Sequence, residues 1–414
     1  MELLVLENTV GLKLPDDIDI IDTSNMKPCT GCAGCWIVSP GQCVTKDKAQ
    51  NYAKNLIKYD TITIISRLSY GGFSYKIKRF LDRCVGYLGT YMHIVDNDVR
   101  HTKRYDHTFK LNVIFYGQAS EDEKETARSL VDAVCKNYYV SNSNVEFVAS
   151  FKNAYTLVTG KRVDEDLLAY TDITIPKHQL EEKPKNSIAI INASPKGKRA
   201  ASEFYSNKLI EICEKISCQE FNIDKFYWSS ARPINSDEIM KFTMYDSIIL
   251  CFGLYVDGMP SHIIENLQRI DYYLYEYMRN HTLGEIGKNI KNTRLYVVSN
   301  SGLLHGNQSK HAIESLEYFS NKVGFKWGQG IGIGAGPLYT NPHMDMFAID
   351  EARHVYAALV EFCNNILSPD DNKEIKNLYT MGHMDVADYM NLLNSIWEKG
   401  LKKHQGFETH NSTP

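Results

Sequence analysis

Tyr59-Asp60-Thr61-Ile62-Thr63-Ile64-Ile65-Ser66 is matched, 186 positions further on, by Tyr245-Asp246-Ser247-Ile248-Ile249-Leu250-Cys251-Phe252. Each is a polar Tyr-Asp step followed by an unbroken apolar run, the pattern of a strand buried on both faces. The neighbours keep the same offset. Ile77, Phe80, Leu81, Cys84, Val85 and Leu88 recur at helical spacing, as do Ile263, Ile264, Leu267, Ile270 and Leu274, and Arg83 falls opposite Arg269. Leu111–Phe115 aligns with Val297–Ser301, and the stripe Ala127, Leu130, Val131, Val134 with Ile313, Leu316, Phe319, Val323. Val145–Ala149 aligns with Ile331–Ala335, and Leu3–Val5 with Ala189–Ile191. A constant offset of 186 over a whole unit reads as a duplicated domain.

Strands alternating with amphipathic helices call for a parallel sheet covered on both faces. Five strands in such an alternation suit the doubly wound flavodoxin-like order, whose ligand site lies beyond the carboxyl ends of the strands. The expected fold class is therefore α/β, with two tandem flavodoxin-like doubly wound parallel five-stranded sheets. Residues 1–175 form the first domain and 187–414 the second. The linker falls at Pro176–Asn186, polar with two prolines. Residues 151–175 and 367–414 are extensions, and Met384–Leu401 reads as one more helix, carried by the second domain.

Composition excludes several classes. The chain has 414 residues, too many for one ordinary core. It is 43% apolar and 23% charged with net charge −4, so nothing basic points to nucleic acid. No apolar run is long enough for a membrane span. Met1-Glu2-Leu3-Leu4-Val5 lacks the basic start of a secretory signal, and a cytoplasmic protein is expected. Four of the ten cysteines, Cys29, Cys32, Cys35 and Cys43, lie close together, which in the cytosol suggests metal or redox chemistry.

The two halves differ where chemistry would sit. In the second, the first strand runs into Asn192-Ala193-Ser194-Pro195-Lys196-Gly197-Lys198-Arg199-Ala200-Ala201-Ser202 and then a helix bearing Tyr205, Leu209, Ile212, Cys213 and Ile216. A strand, a small polar and basic loop, and a helix N-terminus are what an anionic phosphate needs, although an ordinary βα turn with solvated lysines has the same composition. The first half has no such loop. Its first strand leads into Glu7-Asn8-Thr9 with no first helix, and no phosphate is expected there. It carries instead the glycine-bearing loop from Cys29 to Cys43 and on to Asp47, with no lysine or arginine clustered beside the cysteines. Four thiolates so spaced suit a [4Fe–4S] cluster or a zinc ion, and a reduced loop without metal stays open.

At this point the residues resemble a known group. Cys29-x-Gly31-Cys32-x-x-Cys35, Gly41-x-Cys43-x-x-x-Asp47, Ser69-Tyr70-Gly71-Gly72-Phe73-Ser74-Tyr75-Lys76 and Leu81-Asp82-Arg83 look like the NADPH-dependent FMN reductase and iron–sulfur flavoprotein family. So do Ser194-Pro195-Lys196, Leu254-Tyr255-Val256-Asp257-Gly258-Met259-Pro260 and Asn300-Ser301-Gly302 in the second half. The resemblance implies FMN as cofactor and NAD(P)H as electron donor. Ser194, Lys196 and Ser202 would hold the FMN phosphate. Leu254, Tyr255, Val256, Asp257 and Gly258, with Asn300, Ser301 and Gly302, would line its ring. Cys29, Cys32, Cys35 and Cys43 would be the metal ligands of a [4Fe–4S] cluster. In the family the cysteines and the flavin share a domain; here they are divided between two.

The family commonly dimerises, so the tandem is expected to be an intramolecular pseudo-dimer, open to further homo-oligomerisation, with Tyr70, Phe73 or Tyr87 of the first half walling the pocket. The leading reading is an NAD(P)H-dependent flavin oxidoreductase reducing a small-molecule acceptor such as a quinone, a flavin, or a nitro or azo compound. The alternatives are an electron-transfer protein without its own substrate and a non-catalytic scaffold. No catalytic residue is named, since flavin N5 takes hydride and the protein orients. His262 and Asp257 neighbour the expected ring, His262 reading as a solvated residue. His101-Thr102-Lys103-Arg104-Tyr105-Asp106-His107 reads as a solvated loop, or as an anion contact. His305, His343 and His383 lack metal spacing. Gly328 to Gly336 reads as a strand approached closely by a neighbour or by flavin, and Tyr272, Tyr273, Tyr275 and Tyr277 as helix surface.

Overall fold

The structure, a computed structural model, describes residues 1–163, 186–218, 220–280, 290–340, 349–372 and 374–411. The linker at 176–186 falls almost wholly outside them, as does His343. The chain divides into two compact units, Met1–Leu167 with Met384–Pro414, and Leu168–His383. Each is mixed α/β with a parallel sheet flanked by helices.

The first unit contains β1 (Glu2–Leu6), β2 (Asp19–Asp22), β3 (Thr61–Ser69), β4 (Gly72–Phe73), β5 (Leu88–Val95), β6 (Asp98–Lys103), β7 (Lys110–Tyr116) and β8 (Asn142–Val148). Its parallel strands run in the order β2-β1-β3-β7-β8, the flavodoxin-like order. β4 hairpins back on β3, and β5 and β6 form a separate antiparallel pair. The second unit contains β9 (Ser187–Asn192), β10 (Asn222–Tyr227), β11 (Ser247–Gly253), β12 (Arg294–Asn300), β13 (Lys326–Ile333) and β14 (Leu378–Thr380). All are parallel, in the order β10-β9-β11-β12-β13-β14. It repeats the first order and adds a sixth strand that the sequence pattern did not reveal.

The same small contacts occur within each unit. Tyr59 Oη donates to Asp19 Oδ2 at 2.9 Å, and Tyr245 Oη to Asp224 Oδ2 at 2.6 Å. The Asp60 N–H donates to the Met1 carbonyl and the Asp246 N–H to that of Ser187. The polar Tyr-Asp step thus ties the start of the third strand to its neighbours in both sheets. After that strand each unit makes a turn with two left-handed residues, Tyr70 and Gly71 in one (φ +54° and +72°), Val256 and Asp257 in the other (φ +45° and +50°). Two positive φ values in a two-residue turn match the twist of the flanking strands.

The constant offset needs correction. Thr61 faces Lys110 and Ser247 faces Arg294, so the fourth strands correspond at a separation of 184. A bulge between Leu295 and Tyr296 shifts the fifth strand once more. Side chains alternate with period two along a strand, so a slip of two leaves the same faces buried and is invisible to hydrophobic pattern.

The face that a first helix would cover in the first unit is filled otherwise. The helix Phe151–Thr159, placed with the extension above, packs Phe151, Ala154 and Tyr155 onto Leu4, Leu6, Ile65 and Ile114. Tyr155 Oη donates to the Lys13 carbonyl at 2.8 Å, pinning the helix-free segment after β1. The final helix, Val386–Asn411, also joins the first unit, not the second to which the sequence assigned it. Its Asn394 accepts from the Met92 N–H at 2.7 Å and donates to the Met92 carbonyl at 3.1 Å. One side chain there completes the backbone bonding of β5, a long-range pairing that no local periodicity records.

Candidate functional site

In the second unit the chain leaves β9 toward β10 on one side and returns to β11 on the other. Loops diverge at such a reversal and leave a crevice beyond the strand ends. Buried Asn192, the last residue of β9, builds the first wall. Its Oδ1 accepts from the Ser194 N–H at 3.0 Å and from Ser202 Oγ at 2.9 Å. Its Nδ2 donates to the Gly197 carbonyl at 3.1 Å and to Glu203 at 2.8 Å. Ser194 Oγ accepts from the Lys196 N–H at 3.3 Å, and Gly197 takes the left-handed conformation that closes the turn (φ +55°). The helix Ala201–Ile216 begins behind Ala200, which gives it no side-chain cap. A helix start without a cap, with exposed Lys196, Lys198 and Arg199 in the loop, is electrostatically suited to an anion. Ser202 serves the loop from inside: it is buried and its hydroxyl is given to Asn192.

Glu203 flanks the loop. Burial raises its pKa, but hydrogen bonds from Lys225, Asn192 and Tyr227 outweigh this and hold the carboxyl below its usual range. Lys225 is thereby neutralised locally.

The other two walls are stitched together. The Leu254 N–H donates to the Asn300 carbonyl at 2.8 Å, and Asn300 Nδ2 to the Phe252 carbonyl at 2.8 Å. Tyr255 and Gly258 exchange two backbone bonds of 3.0 Å around Val256 and Asp257. A β-branched residue held left-handed costs about 1–2 kcal/mol, and such strain collects at functional sites. The Ser301 N–H donates to the Ile333 carbonyl, and the Gly336 N–H to that of Ser301. Gly302 is exposed with open space beside it. The residues expected from three separate loops thus meet at one edge. In the glycine run, a Cβ at Gly332 or Gly334 would overlap the Gly306 or Leu304 carbonyl oxygen, so a neighbouring loop is what approaches the strand.

His262 corrects an expectation. It is 2% exposed, and its Nε2 donates to the Ala193 carbonyl at 2.9 Å, clamping the start of the phosphate-type loop to the helix after the turn. The tyrosine run splits, with Tyr273 fully buried and Tyr275 exposed.

In the first unit Glu7 stands where Ala193 stands in the second. It is buried, and its Oε1 accepts from the Arg67 N–H at 2.6 Å. Burial raises its pKa, and the Arg67 N–H, Ser74 and Lys76 partly offset that. A carboxylate thus occupies this strand end, and no loop like that at Ser194 follows. Tyr70, Phe73 and Tyr87 are core residues here. Phe73 packs on Phe115 at 5.2 Å, and Tyr87 Oη donates to the His107 carbonyl.

The cysteine loop lies after β2. Cys29 Sγ accepts from the Gly31 N–H and Cys32 Sγ from the Gly34 N–H, both at 3.4 Å. Contrary to the sequence reading, basic groups do reach it, from outside the loop. Arg83 Nε donates to Cys43 Sγ at 3.1 Å while its two terminal nitrogens grip Asp47 at 2.7 and 2.9 Å. Arg104 is felt at Cys35. Burial, then the neighbouring Cys43 and Cys32, push the Cys35 thiol up to about 12. Burial, then Asp82, raise that of Cys29. A further cysteine, Cys84, which is buried and which sequence spacing could not attach to the loop, sits within electrostatic reach of Cys35 and Cys43. Among the described residues no group of three His, Cys, Asp or Glu is arranged about a single metal ion.

His101 to His107 is also corrected. Its first residues lie on β6, and the His101 ring stacks on Trp36 of the cysteine loop at 4.2 Å, with Trp397 beside it at 5.8 Å. Burial pushes the His101 pKa down to about 4.

No family model matches the chain, and no curated protein matches it. Among solved structures, that of the Trp repressor binding protein from Bacillus subtilis is similar over 44% of this chain and 99% of its own, with 14% identity and a TM-score of 0.29. A likeness that remote carries nothing about activity. Among the described residues no helix is long and apolar enough to cross a membrane.

Proposed function

We propose that the second unit binds FMN at its carboxyl edge and that the protein is an NAD(P)H-dependent flavin oxidoreductase delivering two electrons to a small acceptor such as a quinone, a flavin, or a nitro or azo compound. The observation that carries this is the junction of an uncapped helix start, the Ser194–Lys196 loop and the strained Val256–Asp257 turn at one strand-order reversal. The flavin, when bound, supplies hydride acceptance at its ring. This chain's part is to bind and orient. Lys196, Ser194 and the first N–H groups of Ala201–Ile216 would take the phosphate. Asn192 and Ser202 would shape that loop, and Leu254–Gly258 with Asn300–Gly302 would hold the ring edge.

The test is FMN affinity by fluorescence quenching, with Ser194→Ala/Lys196→Ala against the unaltered chain. Two charge-assisted bonds to phosphate are worth enough for a ten- to hundredfold loss, at about 1.4 kcal/mol per tenfold. An unaltered chain that stays colourless after incubation with FMN, or a double variant that binds as tightly, overturns the reading.

The alternative, an electron-transfer protein using both units, is favoured by the cysteine loop. Three of its four sulfurs accept N–H donors, as iron–sulfur ligands commonly do. In this alternative Cys29, Cys32, Cys35 and Cys43 would hold a [4Fe–4S] cluster, with a zinc ion or a reduced loop without metal as the other readings. Iron and acid-labile sulfide in anaerobically prepared protein support that assignment, and their absence after reconstitution removes it.

A further inference from the structure

Successive side chains of a strand point to opposite faces of its sheet. Asn192 of β9 reaches Ser202 and Glu203 on the helix Ala201–Ile216. Ile191, one residue earlier, therefore points to the other face, and there the second unit encloses a cavity. Its floor is Ile191 beside Leu250 of β11, and Ile248 of β11 beside Leu295 of β12, two pairs in register. Its roof comes from the helices Ser236–Phe242, Ser261–Asn280 and Lys310–Val323. Every residue around it is buried. About 20 Å³ is open to the centre of a water-sized sphere, more than the roughly 10–15 Å³ that one water needs.

The space stays open because its walls are stiff. Ile191, Ile239, Ile248 and Ile270 are branched at Cβ and have little freedom at χ1. The rings hold one another. Trp228 meets Phe242 edge-on with centroids 5.8 Å apart, and Phe319 meets Phe325 at 6.2 Å. Such walls do not lean in to fill a void, and the contacts across it go unmade. The walls are also wholly apolar. The hydroxyl of Thr243, which borders the space, is given to the Met240 carbonyl at 2.7 Å. A buried water needs about two to four polar partners and finds none here, whereas a dry cavity lined by aliphatic and aromatic side chains takes apolar guests.

We propose that this cavity is a binding site for one small apolar molecule, with dioxygen as its occupant. Dioxygen is neutral, needs no hydrogen-bond partner, and gains the dispersion contacts that the empty walls forgo. It enters through brief local openings of the roof. No bond is made or broken in the binding. The proposal stands on the cavity alone, whether or not the carboxyl edge holds FMN. The guest and the loop shaped by Asn192 lie on opposite faces of the same strand.

The experiment uses the full chain with carbon-13-labelled isoleucine δ1 methyl groups, studied by NMR under argon, under dioxygen, and under dioxygen with xenon. Dioxygen is paramagnetic and speeds the relaxation of methyl groups it touches. Xenon is apolar and competes for the same space. The expected result is faster relaxation under dioxygen at Ile191, Ile239, Ile248 and Ile270 than at Ile64 and Ile212, which are as deeply buried but lie outside this cavity. Xenon should reverse that excess. Equal relaxation at all these methyl groups overturns the proposal. So does an excess that xenon leaves unchanged, which marks gas diffusing past and not a site. Magnetisation transfer from water to the four cavity methyl groups also overturns it, since the space is then hydrated. Every reading comes from the unaltered chain, so no variant has to fold.

Discussion

Replacing Arg83 with methionine should cost the first unit about 4 kcal/mol and expose Cys43. The Arg83 side chain is wholly buried, and Asp47 opposite it keeps 11% exposure. The guanidinium grips Asp47 twice, bonds the Lys27 carbonyl at 2.8 Å and the Thr45 carbonyl at 3.3 Å, and caps Cys43. One residue at the end of the helix Tyr75–Arg83 thus fastens the cysteine loop at three places. Methionine keeps the stem and removes all five bonds. Breaking a buried pair from one side costs about 3–5 kcal/mol, because a charge is left uncompensated. Water reaching Asp47 relieves part of this, and the orphaned carbonyls restore about 1 kcal/mol of it. A domain holds only about 5–15 kcal/mol, so the loss is a large share. Asp47 also fixes the pH dependence. Burial raises its pKa, but Arg83 and the Lys27 N–H more than offset that, so the folded value lies below the model-compound 3.8. A depressed carboxyl stabilises the fold above pH 3.8 and loses that stabilisation as pH falls through its folded value, so the gap between the two proteins should narrow in acid. Urea unfolding gives the energy, and Ellman labelling of native protein gives the exposure. A loss under about 1 kcal/mol with Cys43 still unreactive would refute the role assigned to Arg83.

Two further predictions test other parts of the fold. His101 has its pKa pushed to about 4 by burial, below the unfolded 6.5, so the unfolded chain takes up its proton first as pH falls. Stability of the first unit should therefore decline between pH 6.5 and 4, by at most about 3 kcal/mol, and His101→Phe should flatten that decline; an unchanged slope argues against it. Val256→Gly relieves a left-handed β-branched residue (φ +45°) and should stabilise the second unit by about 0.5–1 kcal/mol in thermal unfolding. A clear loss would mean that the valine side chain contributes packing worth more than the strain.

What the sequence determined by itself was whatever hydrophobic pattern and repetition encode. The apolar runs at Thr61–Ser66 and Ser247–Phe252 could be satisfied only by burial on both faces, and that requirement, met twice, established two parallel sheets with helices around them. That Ser194, Leu254 and Asn300 lie at the carboxyl ends of their strands was legible as well, because a parallel sheet places all those ends on one edge. Tertiary structure decided the rest. The two-residue slip of the fourth strands was hidden because it changes no face. The final helix joined the first unit through Asn394, a polar contact with no periodicity. His101, polar by composition, became part of an aromatic stack because Trp36 and Trp397 arrive from distant segments. Arg83 found Asp47 and Cys43 only once helix and loop were packed. Local pattern reports which face of an element leaves water; which side chains then meet depends on the whole chain having closed around them.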